Sequence, residues 1–161
     1  IKKDHDEVTL EEEIRLVDNY IYILNVRFSG EIHFEKKVDE SLLDVHIPSM
    51  LLQPIVENSV NYGIRNIDWE GRIVLSVYRE EEKVCISIKD NGVGMTEERI
   101  AQVMQNCISH QEDTGDSNGV GLNNVMERLH LFFDGAEEFV MMSEGPGRAT
   151  EVVIRIPYLE M

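Results

Sequence analysis

Apolar residues recur three or four positions apart near the start of the chain, at Leu10, Ile14, Val17, Ile21, Leu24 and Phe28. That period predicts an amphipathic helix over residues 9–28. Thr9, with Glu12 three residues on, forms a capping box at its start, and Gly30 ends it. Glu11, Glu12 and Glu13 fall in the first turn, where the helix dipole favours negative charge, and read as a solvated face. Ile32, Phe34, Lys36 and Val38 then alternate with polar residues as a strand does, and residues 39–46 read as a connection or a second short strand.

The next stretch, IPSMLLQPIVENSVNYG at residues 47–63, is the most apolar in the chain. Pro48 and Pro54 both suit first-turn positions, which predicts a short turn, then a helix from Pro54 that Gly63 closes. Glu57 and Asn58 stand in line with Leu51, Leu52, Ile55, Val56 and Val60, where desolvating polar groups is costly unless something binds there. Residues 72–79 and 83–90 read as strands joined by the acidic turn Glu80-Glu81-Glu82, with Val84, Ile86 and Ile88 on one face. Thr96 caps a helix to about Cys107. Residues 108–118 are polar and aperiodic and read as a mobile loop. Gly119-Val120-Gly121-Leu122 opens a helix to about Phe133, and residues 139–143 and 150–156 close the chain as strands around a Gly145-Pro146-Gly147 turn.

The chain has 161 residues, with no repeat, low-complexity tract or linker, which suits one domain over 1–161 with a tail at 1–8. A start at Ile1 rather than Met suggests a piece of something longer. The longest apolar run is broken by Pro48, Gln53, Pro54, Glu57 and Asn58, so no transmembrane span or signal peptide is expected within it. A net charge of -16 argues against a nucleic-acid surface, so a polyphosphate ligand would have to be held by backbone amides and a metal. Cys85 and Cys107 are not spaced as a pair, which suits reduced thiols in the cytosol, and no His and Cys spacing resembles a zinc site.

Asp90-Asn91-Gly92-Val93-Gly94 ends a strand with a carboxylate and with glycines that let backbone approach a flat ligand. A carboxylate accepts a hydrogen bond from an exocyclic amine such as adenine's. Asp and Gly are also what an ordinary strand-ending turn uses. Gly119-Val120-Gly121-Leu122 at a helix start offers free amides to phosphate oxygens, although a plain loop-to-helix junction has the same composition.

The ordered combination resembles the ATP-binding domain of the GHKL superfamily. LQPIVENSVNYG, the earlier TLEEEIRLVDNYIYILNVRF and GVGLNNVMERL look like the LytS/YesM-type two-component sensor histidine kinases. The resemblance implies an α+β fold, a two-layer Bergerat-type sandwich whose mixed sheet is covered on one face by helices, with a mobile ATP lid at 108–118. It implies that Asn58 coordinates Mg2+ between the ATP phosphates, that Asp90 binds the adenine amine with Gly92 and Gly94 as its turn, and that Gly119, Gly121 and Leu122 close the lid. Tyr62 matches the aromatic or His position beside the nucleotide, and Gly145, Gly147 and Thr150 resemble a stretched last glycine box. Asn61 stands where Lys is usual and Asn123 where Arg often follows, so two cations are missing; Arg148 is placed to replace some of that charge. Hydrolytic members have a glutamate one turn before the metal asparagine; here that residue is Pro54, which cannot act as a base. Glu57 stays open as a group that could reach a water or the metal shell.

The implied activity is γ-phosphate transfer from Mg-ATP to a histidine on an upstream dimerisation domain, with a cognate response regulator as the downstream partner. The parent protein is then a membrane-anchored homodimer with this domain in the cytoplasm. His5 opens an H-D-x-x-T match, but Thr9 is already explained as a cap, and His33, His46, His110 and His130 read as surface or packing residues. The alternatives are a stand-alone GHKL ATPase or anti-sigma-type serine kinase, and a nucleotide-sensing module without catalysis.

Overall fold

The computed structural model describes residues 7–27, 31–109, 117–145 and 149–158. A five-stranded sheet is built from β2 (Ile32–Val38), β4 (Gly71–Glu80), β5 (Lys83–Asp90), β6 (Glu138–Ser143) and β7 (Thr150–Pro157), in the order β2-β4-β5-β7-β6. Within it β2 and β4 run parallel and the remaining pairs are antiparallel, which makes the sheet mixed. Its inner face carries Ile73, Leu75, Val77, Val84, Ile86, Ile88, Val152, Ile154 and Ile156, all buried. Helices α1 (Leu10–Arg27), α2 (Leu52–Ser59), α3 (Glu97–Ser109) and α4 (Ser117–Phe133) supply the facing layer through Ile14, Val17, Ile55, Val56, Val103, Leu122, Val125 and Leu129. The result is the expected α+β sandwich, with an apolar stripe on each helix closing one face of the sheet.

The α1 capping box forms as its spacing predicts: Thr9 N–H donates to Glu12 Oε1 at 2.9 Å, and Glu12 N–H donates to Thr9 Oγ1 at 3.2 Å. Glu7 and Val8, expected in a tail, instead lie in β1 (Glu7–Thr9), paired antiparallel with β3 (His46–Pro48). Pro48 thus ends a strand rather than starting a helix. Helix α2 begins at Leu52, two residues before Pro54, whose missing N–H falls among the donors a helix start leaves unpaired. Nor does Gly63 close that helix, because the chain continues through a π turn at Val60–Ile64. Helix α3 reaches Ser109 and α4 starts at Ser117, so Ile108, Ser109, Ser117 and Asn118 are helical rather than loop. Thr96 does cap α3, its Oγ1 accepting from Arg99 N–H at 3.0 Å.

Glu13 is the clearest departure from the expected solvated face. It is 1% exposed, and its carboxylate accepts from the backbone N–H groups of Met50, Leu51 and Leu52 at 2.9, 3.0 and 3.0 Å. No side chain of its own caps α2. The buried Glu13 anion takes that place from α1, where unpaired amides and the helix dipole both favour it.

Candidate functional site

Strand β5 ends at Asp90, which is 3% exposed. Burial pushes its carboxyl above the usual carboxylate range, against hydrogen bonds from Gly92 N–H, the Ser59 side chain and the Thr150 backbone that favour the anion. The Gly92 bond is 2.8 Å. Asp90 and Thr150 are also register partners of β5 and β7, so the first residue of the last strand lies directly beside the carboxylate. The sheet therefore presents one desolvated acid at its end, held in place from three elements.

The glycines around it have separate reasons. A Cβ on Gly92 would lie 2.2 Å from the Gly63 carbonyl oxygen, so the turn passes too close to the π turn for any side chain. Val93 N–H donates to that same oxygen at 3.0 Å. A Cβ on Gly63 would itself meet Asp90 Oδ1 at 3.0 Å. Gly94 adopts φ 76°, which L side chains disfavour. The π turn, a feature common at functional sites, thus docks the end of the 52–64 segment against the Asp90 loop.

Asn91 pins the loop from the other side. Its Oδ1 accepts from Arg72 N–H at 2.8 Å, its Nδ2 donates to Glu70 O at 2.9 Å, and its carbonyl accepts from Trp69 Nε1 at 2.8 Å. After the loop, Ser143 Oγ accepts from Met95 N–H at 3.0 Å and donates to Ala149 O at 2.7 Å, joining it to the turn before β7.

Helix α2 divides its polar residues by direction. Ser59 faces Asp90. Glu57, two residues and so about 200° away around the helix, turns to α1: it accepts from Gln53 Nε2 at 3.0 Å, and its charge, after burial, helps raise the Tyr20 hydroxyl above its ordinary value. Asn58 lies between them, half-buried, on the same strip as Pro54 and Tyr62 one turn to either side. Gly121 of α4 faces Pro54, where an added Cβ would sit 4.0 Å from Pro54 Cβ. That brings the GxGL segment to the start of the Asn58 strip, with Leu122 beneath it fully buried in the core. Gly119 and Gly121 are the third and fifth residues of α4, inside its first turns. Arg128 fixes the helix by donating to Ser49 O at 2.9 Å and Ser49 Oγ at 2.8 Å.

Not every expected residue joins this group. Asn61 is exposed, accepts from Arg65 at 3.3 Å, and lines a separate cavity of about 730 Å³ with Leu24, Ile64 and Trp69. Asn123 Oδ1 is buried without a hydrogen-bond partner among the described residues. Gly145 has φ 123°, while Gly147, Arg148, His5 and His110 lie outside the described residues. His46 meets Glu7, His130 meets Glu137, and His33 meets Glu31 and Glu70. Sequence reasoning missed Ser59 and Gly63 as parts of the site. The only available signal was Gly63 lying four residues after Ser59, on the same helical face.

This architecture is that of histidine kinase catalytic domains. One of them, the nucleotide-free catalytic domain of the histidine kinase ThkA, matches with TM-score 0.68 at 19% identity, covering 94% of this chain and 95% of that one. Full-length ShkA in complex with AMPPNP matches with TM-score 0.68 at 18% identity, covering 100% of this chain and 32% of that one. Residues 45–160 match the model of the histidine kinase-, DNA gyrase B-, and HSP90-like ATPase family, and the chain belongs to that family. Among curated relatives, the sensor histidine kinase YesM of Bacillus subtilis is 32% identical over 152 residues, 94% of this chain and 24% of YesM. The sensor protein LytS of Oceanobacillus iheyensis is 33% identical over 122 residues, 76% of this chain and 20% of LytS. The chain thus spans about a quarter or less of the length of these relatives.

Proposed function

We propose that this chain is the ATP-binding catalytic unit of a two-component sensor histidine kinase, binding Mg-ATP and presenting its γ-phosphate to a histidine elsewhere in the full protein. The observation that carries the reading is Asp90: a carboxylate left desolvated at a strand end, beside Gly92 and Gly63, whose side-chain space is taken by the Gly63 backbone and by Asp90 itself. Asp90 accepts from the adenine amine, and Gly92, Gly94 and Thr150 shape the surface around it. A methyl group at Gly92 or Gly63 would displace the Asp90 loop or Asp90 itself, so these glycines keep the carboxylate where a heterocycle's amine would meet it. Tyr62, partly exposed one turn beyond Asn58, flanks the nucleotide.

Asn58 offers a neutral oxygen donor of the hard kind that Mg2+ prefers, on the strip that runs between Asp90's neighbours and Gly121. When bound, the ion would neutralise phosphate charge. The unpaired amides of the first turn of α4, which ends at Gly119, receive phosphate oxygens with the help of the helix dipole, while Gly121 and Leu122, already inside the helix, give it a close fit to Pro54 and the core. Positioning of this sort is most of what phosphoryl transfer requires of a protein. Glu57, directed to Gln53 and Tyr20, acts by setting the α2 surface rather than by touching phosphate. Pro54 removes the base that would activate water, so the bound nucleotide is kept for another nucleophile.

The acceptor histidine and the membrane anchor belong to the parent homodimer, and the response regulator is its separate downstream partner; no helix among the described residues is long and apolar enough to cross a membrane. The test is incubation with ATP labelled at the γ-phosphate. Full-length protein should acquire an acid-labile label outside residues 1–161, and the isolated chain should bind ATP without releasing phosphate. Steady phosphate release by the isolated chain would favour a stand-alone ATPase. The placement of Asn61 on a different cavity and the absence of a cation at Asn123 favour, as a second reading, a nucleotide sensor that never transfers phosphate. An ATP-binding full-length protein that never labels would support it.

A further inference from the structure

Away from the nucleotide site, the parallel pairing of β2 with β4 assembles a donor set that sequence spacing hides. Ile32 pairs with Gly71, so Glu31 and Glu70 stand side by side one residue before the ladder begins. His33 follows Glu31 by two residues and therefore lies on the same face of the strand, the face turned away from the helices. His33 Nε2 is 3.4 Å from Glu70 Oε1 and 3.9 Å from Glu31 Oε1, and one ligand atom from each of the three residues lies within 4.8 Å of the others. Donors bonded at about 2.0–2.2 Å around a tetrahedral ion stand roughly 3.4 Å apart, so the set needs only small side-chain rotations to close on one cation. Arg72, the register partner of His33, directs its guanidinium to Glu35 at 3.0 Å rather than to the two glutamates.

Two further features support the location. All three side chains are exposed, which leaves room for waters to complete the ion's coordination. Glu70 is joined to the adenine-side loop as well: its carbonyl accepts from Asn91, whose own carbonyl accepts from Trp69, the single tryptophan of the chain.

We propose that Glu31, His33 and Glu70 form a binding site for a divalent transition-metal ion, with Zn2+ the best-suited member of the class. One imidazole nitrogen with two carboxylates matches the ligand preference of Zn2+, whereas Mg2+ and Ca2+ favour sites built from oxygen alone. This site does not depend on the nucleotide reading, and its test contains no nucleotide.

The experiment is a titration of the 161-residue chain with ZnCl2 in a non-chelating buffer, read both by calorimetry and by Trp69 fluorescence. The expected result is saturable one-to-one binding that shifts the fluorescence and persists in a large excess of Mg2+. His33→Gln and Glu70→Gln should each weaken it roughly ten-fold or more. His46→Gln and His130→Gln, which alter histidines paired with Glu7 and Glu137 and outside any three-ligand group among the described residues, should leave it unchanged. Absence of saturable binding, displacement by Mg2+, or equal affinity in His33→Gln would overturn the proposal.

Discussion

Replacing Asp90 by Asn separates the cost of the proposed nucleotide site from its benefit. In the free chain the carboxylate is 3% exposed and its pKa is raised, with burial as the largest cause. A group raised in the folded state contributes stability that is fully present below its unfolded pKa and is lost as pH rises through the folded one. At neutral pH the ionised Asp90 therefore works against folding. The Asp90→Asn variant removes that charge, and its amide oxygen can still accept from Gly92 N–H, 2.8 Å from the carboxylate in the parent. The new amide nitrogen cannot accept from Ser59 or Thr150. Losing these two bonds costs about 1 kcal/mol each, partly offset by removal of the buried charge. Stability in urea should therefore stay within about 2 kcal/mol of the parent. Binding should behave differently, because a hydrogen bond to a charged group contributes about 1.5–3 kcal/mol and each 1.4 kcal/mol is about tenfold. Affinity for ADP, measured by calorimetry, should fall roughly 10- to 150-fold. ADP binding within about three-fold of the parent, or a fold several kcal/mol weaker, would refute the reasoning.

Glu13→Ala leaves three backbone N–H groups at the start of α2 without acceptors and should destabilise the chain by about 3 kcal/mol or more in urea unfolding, with Glu13→Gln losing less because one oxygen remains. Gly92→Ala forces a methyl group onto the Gly63 carbonyl and should cost about 3 kcal/mol, the upper part of the overpacking range, together with nucleotide binding. Asn58→Ala should abolish the effect of Mg2+ on ATP affinity, whereas Glu57→Gln should leave affinity within a few-fold, both read by calorimetry. Affinity for ADP should fall on acidification, starting at a higher pH than an ordinary carboxylate would set, because burial raises the pKa of Asp90; Asp90→Asn should flatten the profile.

The elements that alternate or recur regularly were legible in the chain: α1 with its cap, the strands around Val84 to Ile88, and the Asp90 turn all follow from local pattern. What stayed hidden depends on partners distant in sequence. Glu13 reads like Glu11 and Glu12 until the amides of Met50, Leu51 and Leu52, 37 to 39 residues away, are brought against it. Gly63 reads as a helix stop because glycine commonly is one, yet its role here is to leave room for Asp90 and to offer a carbonyl to Val93. The three-residue strand β1 carries too few alternations to register as a period. For the site, Glu57 and Asn58 stood out as polar residues among apolar ones and Asp90 as a carboxylate before glycines at a strand end, a pattern an ordinary turn shares. That Glu57 and Asn61 both turn toward α1 could not be read until α1 and the cavity beside it were in place.

The most direct test of the central claim is calorimetry of the chain with a non-hydrolysable ATP analogue, with and without Mg2+. One-to-one binding that Mg2+ strengthens in the parent but not in Asn58→Ala is the predicted result. No saturable binding in either condition would contradict it.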